Sequence, residues 1–271
     1  MKAIMVGVDG SDEASVAVRH AIEIAQMADA NVVGIASVDR GANAEAEADE
    51  HDMDEVEGLE HLPSAAISWF QGALDDCGEA CAVADVEFTA RLLAGSPARV
   101  LVEEAQAVDM LVIGATGRGD GRGALLGRTA RRIVRNCIKP VLVTRDEAVA
   151  VQKIMVGYDG SPASGHALEW AADLAAAGGW EIAIVTGAGP ESSLAEGAEY
   201  ASKLAATRGL DAEVFLVSGD APGVIFREAK KWDPDMIAIG GPQRGALSGF
   251  FLGESWPEIV EQAEVPVLRW R

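Results

Sequence analysis

Positive charge is scarce in this 271-residue chain, which carries 22 Lys and Arg against 43 Asp and Glu and has a net charge of −21. Lysine is the rarer base, with six copies against sixteen arginines. Such a surface repels polyanions, so general binding to nucleic acid or to an anionic membrane is disfavoured. An acidic surface stays soluble where salt shortens the Debye length to roughly 3 Å near 1 M. The composition therefore indicates adaptation to a salt-rich cytoplasm. The alternative is an acidic protein from a cell of ordinary salt concentration.

Cysteine and long apolar runs are also rare. Of three cysteines, Cys77 and Cys81 are separated by three residues rather than the two typical of zinc or redox pairs. We expect buried thiols, with a metal or regulatory role as the alternative. No run of 18 uncharged apolar residues is present, and the first apolar run meets Asp9 too early for a signal peptide. The sequence predicts a soluble, cytoplasmic protein with no membrane segment.

The chain contains an internal repeat. AIMVGVDGS at 3–11 returns as KIMVGYDGS at 153–161, with seven of nine positions identical. An amphipathic helical pattern and then a short β-branched run follow each copy. Later, DMLVIG at 109–114 corresponds to DMIAIG at 235–240. Strands that alternate with helices in this way predict parallel sheets covered on both faces.

Two domains follow from the repeat, at 1–146 and 152–271, joined near residues 145–152. The first is longer because of an insertion at about 41–62, within which residues 44–60 include nine acids and no Lys or Arg. We expect this insertion to be a solvated acidic loop. A metal site at His51 and His61 is the lesser alternative.

The order of these motifs resembles the universal stress protein family in its tandem form. A strand, a VDGS turn and a helix are followed later by VIG, a glycine-spaced loop, LLG and a helix. The resemblance covers nearly the whole chain. It implies an α/β fold of two repeated adenine-nucleotide-hydrolase-like domains, each an open five-stranded parallel sheet with helices on both faces. Combined with the acidic composition, it indicates a halophilic archaeon as the source.

The nucleotide motif of this family is Gly, two residues, Gly, nine residues, Gly, then Ser or Thr, and Gly114, Gly117 and Gly127 match its spacing. A glycine-rich loop that runs into a helix directs backbone N–H groups at an anion. The resemblance implies that Asp9 and this loop face adenine and ribose, with a base pocket at the end of the second strand; a helix-cap or turn role for Asp9 is the alternative. The candidate nucleotide-binding residues are Asp9, Ser37, Val38, Gly114, Ala115, Gly117, Arg118, Gly127, Arg128 and Thr129.

Two departures from the family pattern affect the site. Arg128 stands where the nucleotide-binding branch has Ser or Thr, and Thr129 follows one place late. A guanidinium can hold phosphate bidentately, so binding with altered geometry and loss of binding are both open. In the second repeat, Pro242 offers no N–H, Gln243 replaces a glycine and Glu254 would repel an anion. We expect no nucleotide there.

An arginine-rich stretch contrasts with the acidic chain. Residues 118–145 hold seven arginines and one lysine against a single acid, Asp120. The closing helices align Arg128, Arg132 and Arg135 with Glu254, Glu258 and Glu261. Three interpretations compete: phosphate binding, docking of the two repeats, and binding of nucleic acid. Docking through the last strands, PVLVTR and PVLRWR, predicts an internal pseudo-dimer in which Arg132 pairs with Glu258.

The sequence thus predicts a stress-response regulatory module that binds an adenine nucleotide at one site, in the first repeat. The ligand is ATP or AMP, with Mg²⁺ as an additional candidate. No Ser/His/Asp or Cys/His combination stands out, so no catalytic residue and no enzymatic activity are expected. A scaffold with a vestigial site and a slow ATPase are the alternatives. The expected partners are the nucleotide and the other repeat, and a further homo-oligomer is left open.

Overall fold

The computed structural model of the chain describes residues 1–39, 64–120, 125–145, 150–187, 191–217, 221–241 and 252–271. The acidic insertion at 41–62, with His51 and His61, lies outside them. Within these residues the first repeat consists of β1 (Ala3–Gly7), α1 (Asp12–Ala28), β2 (Asn31–Val38), α2 (Ser64–Val83), β3 (Phe88–Ala94), α3 (Pro97–Glu104), β4 (Met110–Gly114), α4 (Arg128–Asn136) and β5 (Val141–Thr144). The second repeat consists of β6 (Lys153–Tyr158), α5 (Pro162–Gly178), β7 (Glu181–Gly187), α6 (Glu191–Ala206), β8 (Glu213–Val217), α7 (Ala221–Trp232), β9 (Met236–Gly240), α8 (Leu252–Gln262) and β10 (Val267–Trp270). No helix of the described ranges is long and apolar enough to cross a bilayer.

The DGS turn explains how each repeat passes from its first strand into its first helix. Gly10 has φ 76° and Gly160 has φ 78°, a left-handed conformation that glycine adopts without strain. The serine that follows caps the helix: Ser11 Oγ accepts the N–H of Ala14 at 3.1 Å. Ser161 does the same for α5. The repeated sequence therefore encodes one repeated strand–turn–helix geometry.

The ten strands of the described residues form one sheet in the order β3-β2-β1-β4-β5-β10-β9-β6-β7-β8. Neighbouring strands are parallel within each repeat, whereas β5 and β10 are antiparallel, with Leu142 opposite Leu268. Each repeat thus contributes five parallel strands in the doubly wound order 3-2-1-4-5. The predicted fold class is confirmed. This junction of β5 and β10 is the seam between the repeats. Because the two strands are antiparallel there, the carboxyl ends of the two sets of strands lie on opposite sides of the sheet, at opposite ends of the strands.

Apolar layers cover both faces of the sheet and continue across the seam. One contains side chains of α1, α2, α5 and α6, and the other contains side chains of α3, α4, α7 and α8. Val141, Leu142, Val267 and Leu268 at the seam are fully buried. Each such side chain contributes roughly 1.5–3 kcal/mol relative to an exposed one. The two repeats therefore share their core and pack as the internal pseudo-dimer that the sequence suggested. The three cysteines are buried and unbridged, as expected.

Arginines at the ends of the last strands cap helices of the opposite repeat. Arg269 on β10 is 1% exposed, and its Nη1 donates to the carbonyl oxygens of Val134 at 2.6 Å and Cys137 at 3.1 Å. Burial lowers the pKa of the Arg269 guanidinium to about 10, so it stays charged at neutral pH. In the other direction, Arg145 donates to the carbonyl of Val260 near the end of α8. Cations suit these positions because carbonyls at a helix C-terminus lack intrahelical donors.

The closing helices approach each other across the seam, but not through the residues that the sequence suggested. Arg131 Nη2 lies 3.1 Å from Glu261 Oε1. The expected pair of Arg132 and Glu258 is wrong: Arg132 lines a groove between α3 and α4, and Glu258 accepts a hydrogen bond from Gln262 on its own helix. Consecutive helical residues are about 100° apart, so only one of two neighbouring arginines can face α8.

We expect Arg269→Ala to destabilise the chain by about 2–4 kcal/mol, because it removes three hydrogen bonds at the buried end of α4 and leaves a cavity. Urea unfolding followed by circular dichroism measures the loss.

Arg271→Ala is the matched control. Arg271 Nη1 reaches the carbonyls of Arg135 and Asn136 on the same helix, each at 3.3 Å and in an exposed setting. Its loss should cost about 0.5 kcal/mol or less. Equal losses in the two variants would contradict the role given to the buried guanidinium.

Candidate functional site

A cavity of about 1160 Å³ opens at the carboxyl ends of β1, β2 and β4. It includes the topological switch point between β1 and β4, where the strand order reverses direction. Open α/β sheets bind their ligands at such a point. Eight of the ten candidate residues line it: Asp9, Ser37, Val38, Gly114, Gly117, Arg118, Arg128 and Thr129. The two strand ends and the glycine-rich loop are therefore brought together, as their positions in the sequence suggested.

The other two candidates, Ala115 and Gly127, lie behind the cavity wall. The N–H of Ala115 donates to Thr144 on β5 at 3.0 Å, and its carbonyl accepts the N–H of Gly127 at 2.7 Å. These contacts join the two ends of the loop to each other and to the sheet. Ala115 and Gly127 thus shape the site through the backbone and offer no donor to a ligand.

Asp9 connects three parts of the site. Its Oδ1 accepts hydrogen bonds from the N–H of Ser11 at 3.0 Å and from the Ser11 hydroxyl at 2.5 Å. Asp159 makes the same backbone contact, to Ser161, in the second repeat, so this is the turn role that was the alternative for Asp9. In addition, Asp9 Oδ2 accepts the N–H of Arg118 at 3.0 Å. This second contact holds the glycine-rich loop against the end of β1.

An aromatic side chain of α2 contacts two residues of the cavity rim. Trp69 Nε1 donates to the Asp9 carbonyl at 3.2 Å, and the Arg118 guanidinium lies 4.3 Å from the Trp69 ring centroid. At an exposed site such a cation–π contact contributes roughly 0.5–1 kcal/mol. Phe70, one residue on, lines the cavity itself. The side chain of Arg118 thus extends along the rim.

Backbone donors of the glycine-rich loop converge on the carboxylate of Asp120. Its Oδ2 accepts the N–H of Gly117 at 2.9 Å, and its Oδ1 accepts the N–H of Arg128 at 3.3 Å. Arg128 is the first residue of α4, and Gly127, which precedes it, has no side chain to cap the helix. Asp120 therefore supplies the anion at this helix N-terminus.

The polar rim of the cavity carries charges of both signs. Arg118 and Arg128 line it together with Asp9, Asp39 and Asp120. Glu13, near the start of α1, accepts a hydrogen bond from the Thr116 hydroxyl at 3.3 Å. Within the described part of the chain, Arg128 makes no ion pair. Its guanidinium is thus the cation best placed to meet an anionic ligand.

The inner wall of the cavity is apolar. Ile35, Leu101 and Ile113 line it beside Val38. Ser37 is 8% exposed, and its hydroxyl donates to the carbonyl of Gly95 at 2.6 Å, which ties the end of β2 to the end of β3. The cavity therefore offers apolar contacts at its inner wall and polar groups at its rim.

The corresponding position in the second repeat is occupied by an aromatic pair. Tyr158 at the end of β6 replaces Val8, which lines the first cavity. Tyr158 is 7% exposed and stacks on Tyr200 of α6, with ring centroids 6.0 Å apart. Burial raises the pKa of its phenol. Pro242 and Gln243, on which the expectation of no nucleotide in this repeat partly depended, lie outside the described residues, and Glu254 falls in α8.

Sequence reasoning missed Asp120, Trp69 and Phe70 as site residues. The signal for Asp120 was its isolation as the single acid among the basic residues of 118–145. Trp69 and Phe70 gave no comparable signal, because they lie on a helix about 60 residues after the DGS turn, which Trp69 contacts. Only the packing of α2 onto β2 and β3 brings them to the cavity.

Comparison with known proteins assigns the family. The universal stress protein family matches residues 1–145 and again residues 150–271, so the chain belongs to this family and carries its domain twice. A universal stress protein of Mycolicibacterium smegmatis is 28% identical over 98% of this chain and 95% of its own length. A universal stress protein structure from Archaeoglobus fulgidus aligns over 99% of this chain and 98% of its own, with a TM-score of 0.78 at 15% identity, a likeness of fold. Another, solved in complex with cAMP, is 25% identical over 45% of this chain and 97% of its own, with a TM-score of 0.39.

We expect Gly127→Ala to destabilise the chain by about 1–2 kcal/mol, because a Cβ at this position would lie 1.9 Å from Asp120 Oδ2 and force the carboxylate off its two amide donors. Urea unfolding monitors the change.

Gly119→Ala serves as the control in the same loop. A Cβ there meets no atom within 4 Å, and neither glycine has a positive φ, so backbone strain does not separate the two variants. Its effect should stay within about 0.5 kcal/mol. A Gly127→Ala variant as stable as Gly119→Ala would show that Asp120 does not hold the helix.

Proposed function

We propose that the first repeat binds one adenine nucleotide, ATP or AMP, and that the chain acts as a regulatory module of the stress response rather than as an enzyme. The observation that carries this proposal is the cavity at the carboxyl ends of β1, β2 and β4, lined by eight of the ten residues that the family resemblance implied. Its volume of about 1160 Å³ is ample for such a ligand, since small-molecule sites typically enclose roughly 300–1,000 Å³.

The division of the cavity supports an orientation for the ligand. Adenine would lie against the apolar wall near Val38 and Leu101, and ribose would face Asp9. The phosphate end would then approach Gly117 and Arg128 at the N-terminus of α4, where the helix dipole favours an anion. This orientation gives the guanidinium of Arg128 the role that Ser or Thr has in the nucleotide-binding branch of the family.

One site per chain is part of the proposal. Stacking of Tyr158 on Tyr200 supports it, because two aromatic rings then occupy the second repeat where Val8 leaves room in the first. A phenol at the strand end takes up space that a nucleotide would need. The second repeat would contribute stability through the shared core, and a further homo-oligomer of the whole chain stays a prediction.

Isothermal titration with ATP and with AMP, each with and without Mg²⁺, tests the binding. We expect one ligand per chain, and an affinity at least about tenfold lower in Gly117→Ala. A Cβ at Gly117 would lie 2.4 Å from Asp9 Oδ2, which would displace the side chain that holds the loop. Gly165→Ala, on α5 with no atom within 4 Å of the new Cβ, is the matched control.

Each alternative has its own outcome. Two equivalent sites would overturn the asymmetry between the repeats. Absence of binding by either nucleotide would leave the scaffold with a vestigial site, and release of inorganic phosphate from ATP would favour the slow ATPase. Unchanged affinity in Gly117→Ala would move the ligand away from this cavity.

We also propose that the chain works in a salt-rich cytoplasm, as in a halophilic archaeon. The support is the charge balance of 43 acids to 22 bases, because repulsion within such a surface is relieved when salt screens it. The temperature of the thermal unfolding midpoint should therefore rise as the KCl concentration is increased from about 0.1 M to about 3 M. At the higher concentration the Debye length falls below about 3 Å. A midpoint temperature that falls or stays constant over this range would favour the alternative, an acidic protein from a cell of ordinary salt concentration.

A further inference from the structure

The two amides best placed to receive a phosphate already hold a carboxylate of the chain itself. Gly117 N–H and Arg128 N–H come from opposite ends of the glycine-rich loop and converge on Asp120. No other side chain of the described residues accepts a hydrogen bond from either amide. The position suits a phosphate oxygen, since it combines two backbone donors with the start of a helix.

The local backbone explains how Asp120 reaches this position. The N–H of Asp120 donates to the carbonyl of Gly117 at 3.0 Å, so residues 117–120 form a tight turn. That turn folds the carboxylate back onto the amide of Gly117. The absence of a side chain at Gly127 leaves the space that the carboxylate fills, since a Cβ there would lie 1.9 Å from Oδ2. Gly127 thus accommodates Asp120 and would equally accommodate a phosphate.

A carboxylate and a phosphate cannot share these donors. Each amide has one hydrogen to donate, and two anions within hydrogen-bonding reach of the same helix N-terminus repel each other. Asp9 and Asp39 line the same cavity and add to the repulsion. Arg118 and Arg128 are the opposing charges, and the guanidinium of Arg118 is stacked on Trp69. The rim therefore opposes the charge of a triphosphate more strongly than that of a single phosphate, which is roughly −1.5 to −2 at pH 7.

We propose that Asp120 is an internal competitor for the phosphate position and makes the site select adenosine or AMP over ATP. This inference rests on the proposed function of the first repeat and specifies its ligand. Adenine and ribose would meet the apolar wall and Asp9 rather than the two amides that Asp120 holds, so their binding does not require its displacement. The single phosphate of AMP meets the Arg128 side chain, whereas the longer phosphate chain of ATP reaches the position that Asp120 holds.

Titration of the full chain with adenosine, AMP and ATP at one pH and one salt concentration tests the selection. We expect the unmodified chain to bind ATP at least about tenfold more weakly than AMP. Asp120→Ala frees both amides and should increase the affinity for ATP by at least about tenfold. The affinity for adenosine should change by less than about twofold. Asp120→Asn keeps the size of the side chain and removes its charge. It should also increase the affinity for ATP.

Asp211→Asn controls for the change in net charge. Asp211 is exposed in the second repeat, just before β8, and lies outside the cavity lining. It should leave the order of the three affinities unchanged. If Asp120→Ala does not fold, as judged by circular dichroism, Asp120→Asn decides the result.

The outcomes separate this inference from the proposed function. If the unmodified chain binds ATP as tightly as AMP and neither Asp120 variant improves it, the competitor role is wrong while nucleotide binding stands. If no adenine ligand binds to any variant, the proposed function fails, and inorganic tripolyphosphate decides the competitor role. Binding of tripolyphosphate to Asp120→Ala but not to the unmodified chain supports it, and equal or absent binding overturns it.

Discussion

The antiparallel pairing of β5 with β10 is the constraint on which the rest of the structure depends. It turns two five-stranded sheets into one and lets each apolar layer continue from repeat to repeat. It also reverses the second repeat relative to the first, so that the carboxyl ends of their strands lie at opposite edges. A ligand at one edge is therefore separated from the other edge by the full length of the strands.

The arginines of the acidic chain serve different purposes according to their distance from this seam. Arg118 and Arg128 lie at the cavity, Arg131 pairs with Glu261 beside the seam, and Arg145 caps α8 of the opposite repeat. Arg122 lies outside the described residues. The lining of the cavity and the docking of the repeats thus draw on different members of one stretch. Because carbonyl oxygens are the partners at the helix ends, the docking depends less on matched acids than the alignment of arginines with glutamates suggested.

Much of the fold could be predicted from the sequence because the repeat and the strand–helix alternation are local patterns. The edge that bears the site also followed, since the DGS turn and the glycine-rich loop both come directly after strands. Details that join distant segments could not be predicted. Stacking of Tyr158 on Tyr200 spans 42 positions, and the carbonyl partners of Arg269 lie in the other repeat. The hydrogen bond between Asp120 and Gly117 joins residues only three positions apart. It could still not be predicted, because glycines allow the loop many backbone conformations.

Covalent connection of the two repeats has a consequence for how such a protein can change. In a homodimer of single domains, each substitution occurs twice, at positions related by the two-fold axis. Here a change such as Val8 to Tyr158 affects one half alone, and the tether keeps the halves together at any dilution. Each half can therefore change at its strand ends without the same change in the other, so a linked pair can diverge in a way that two identical subunits cannot.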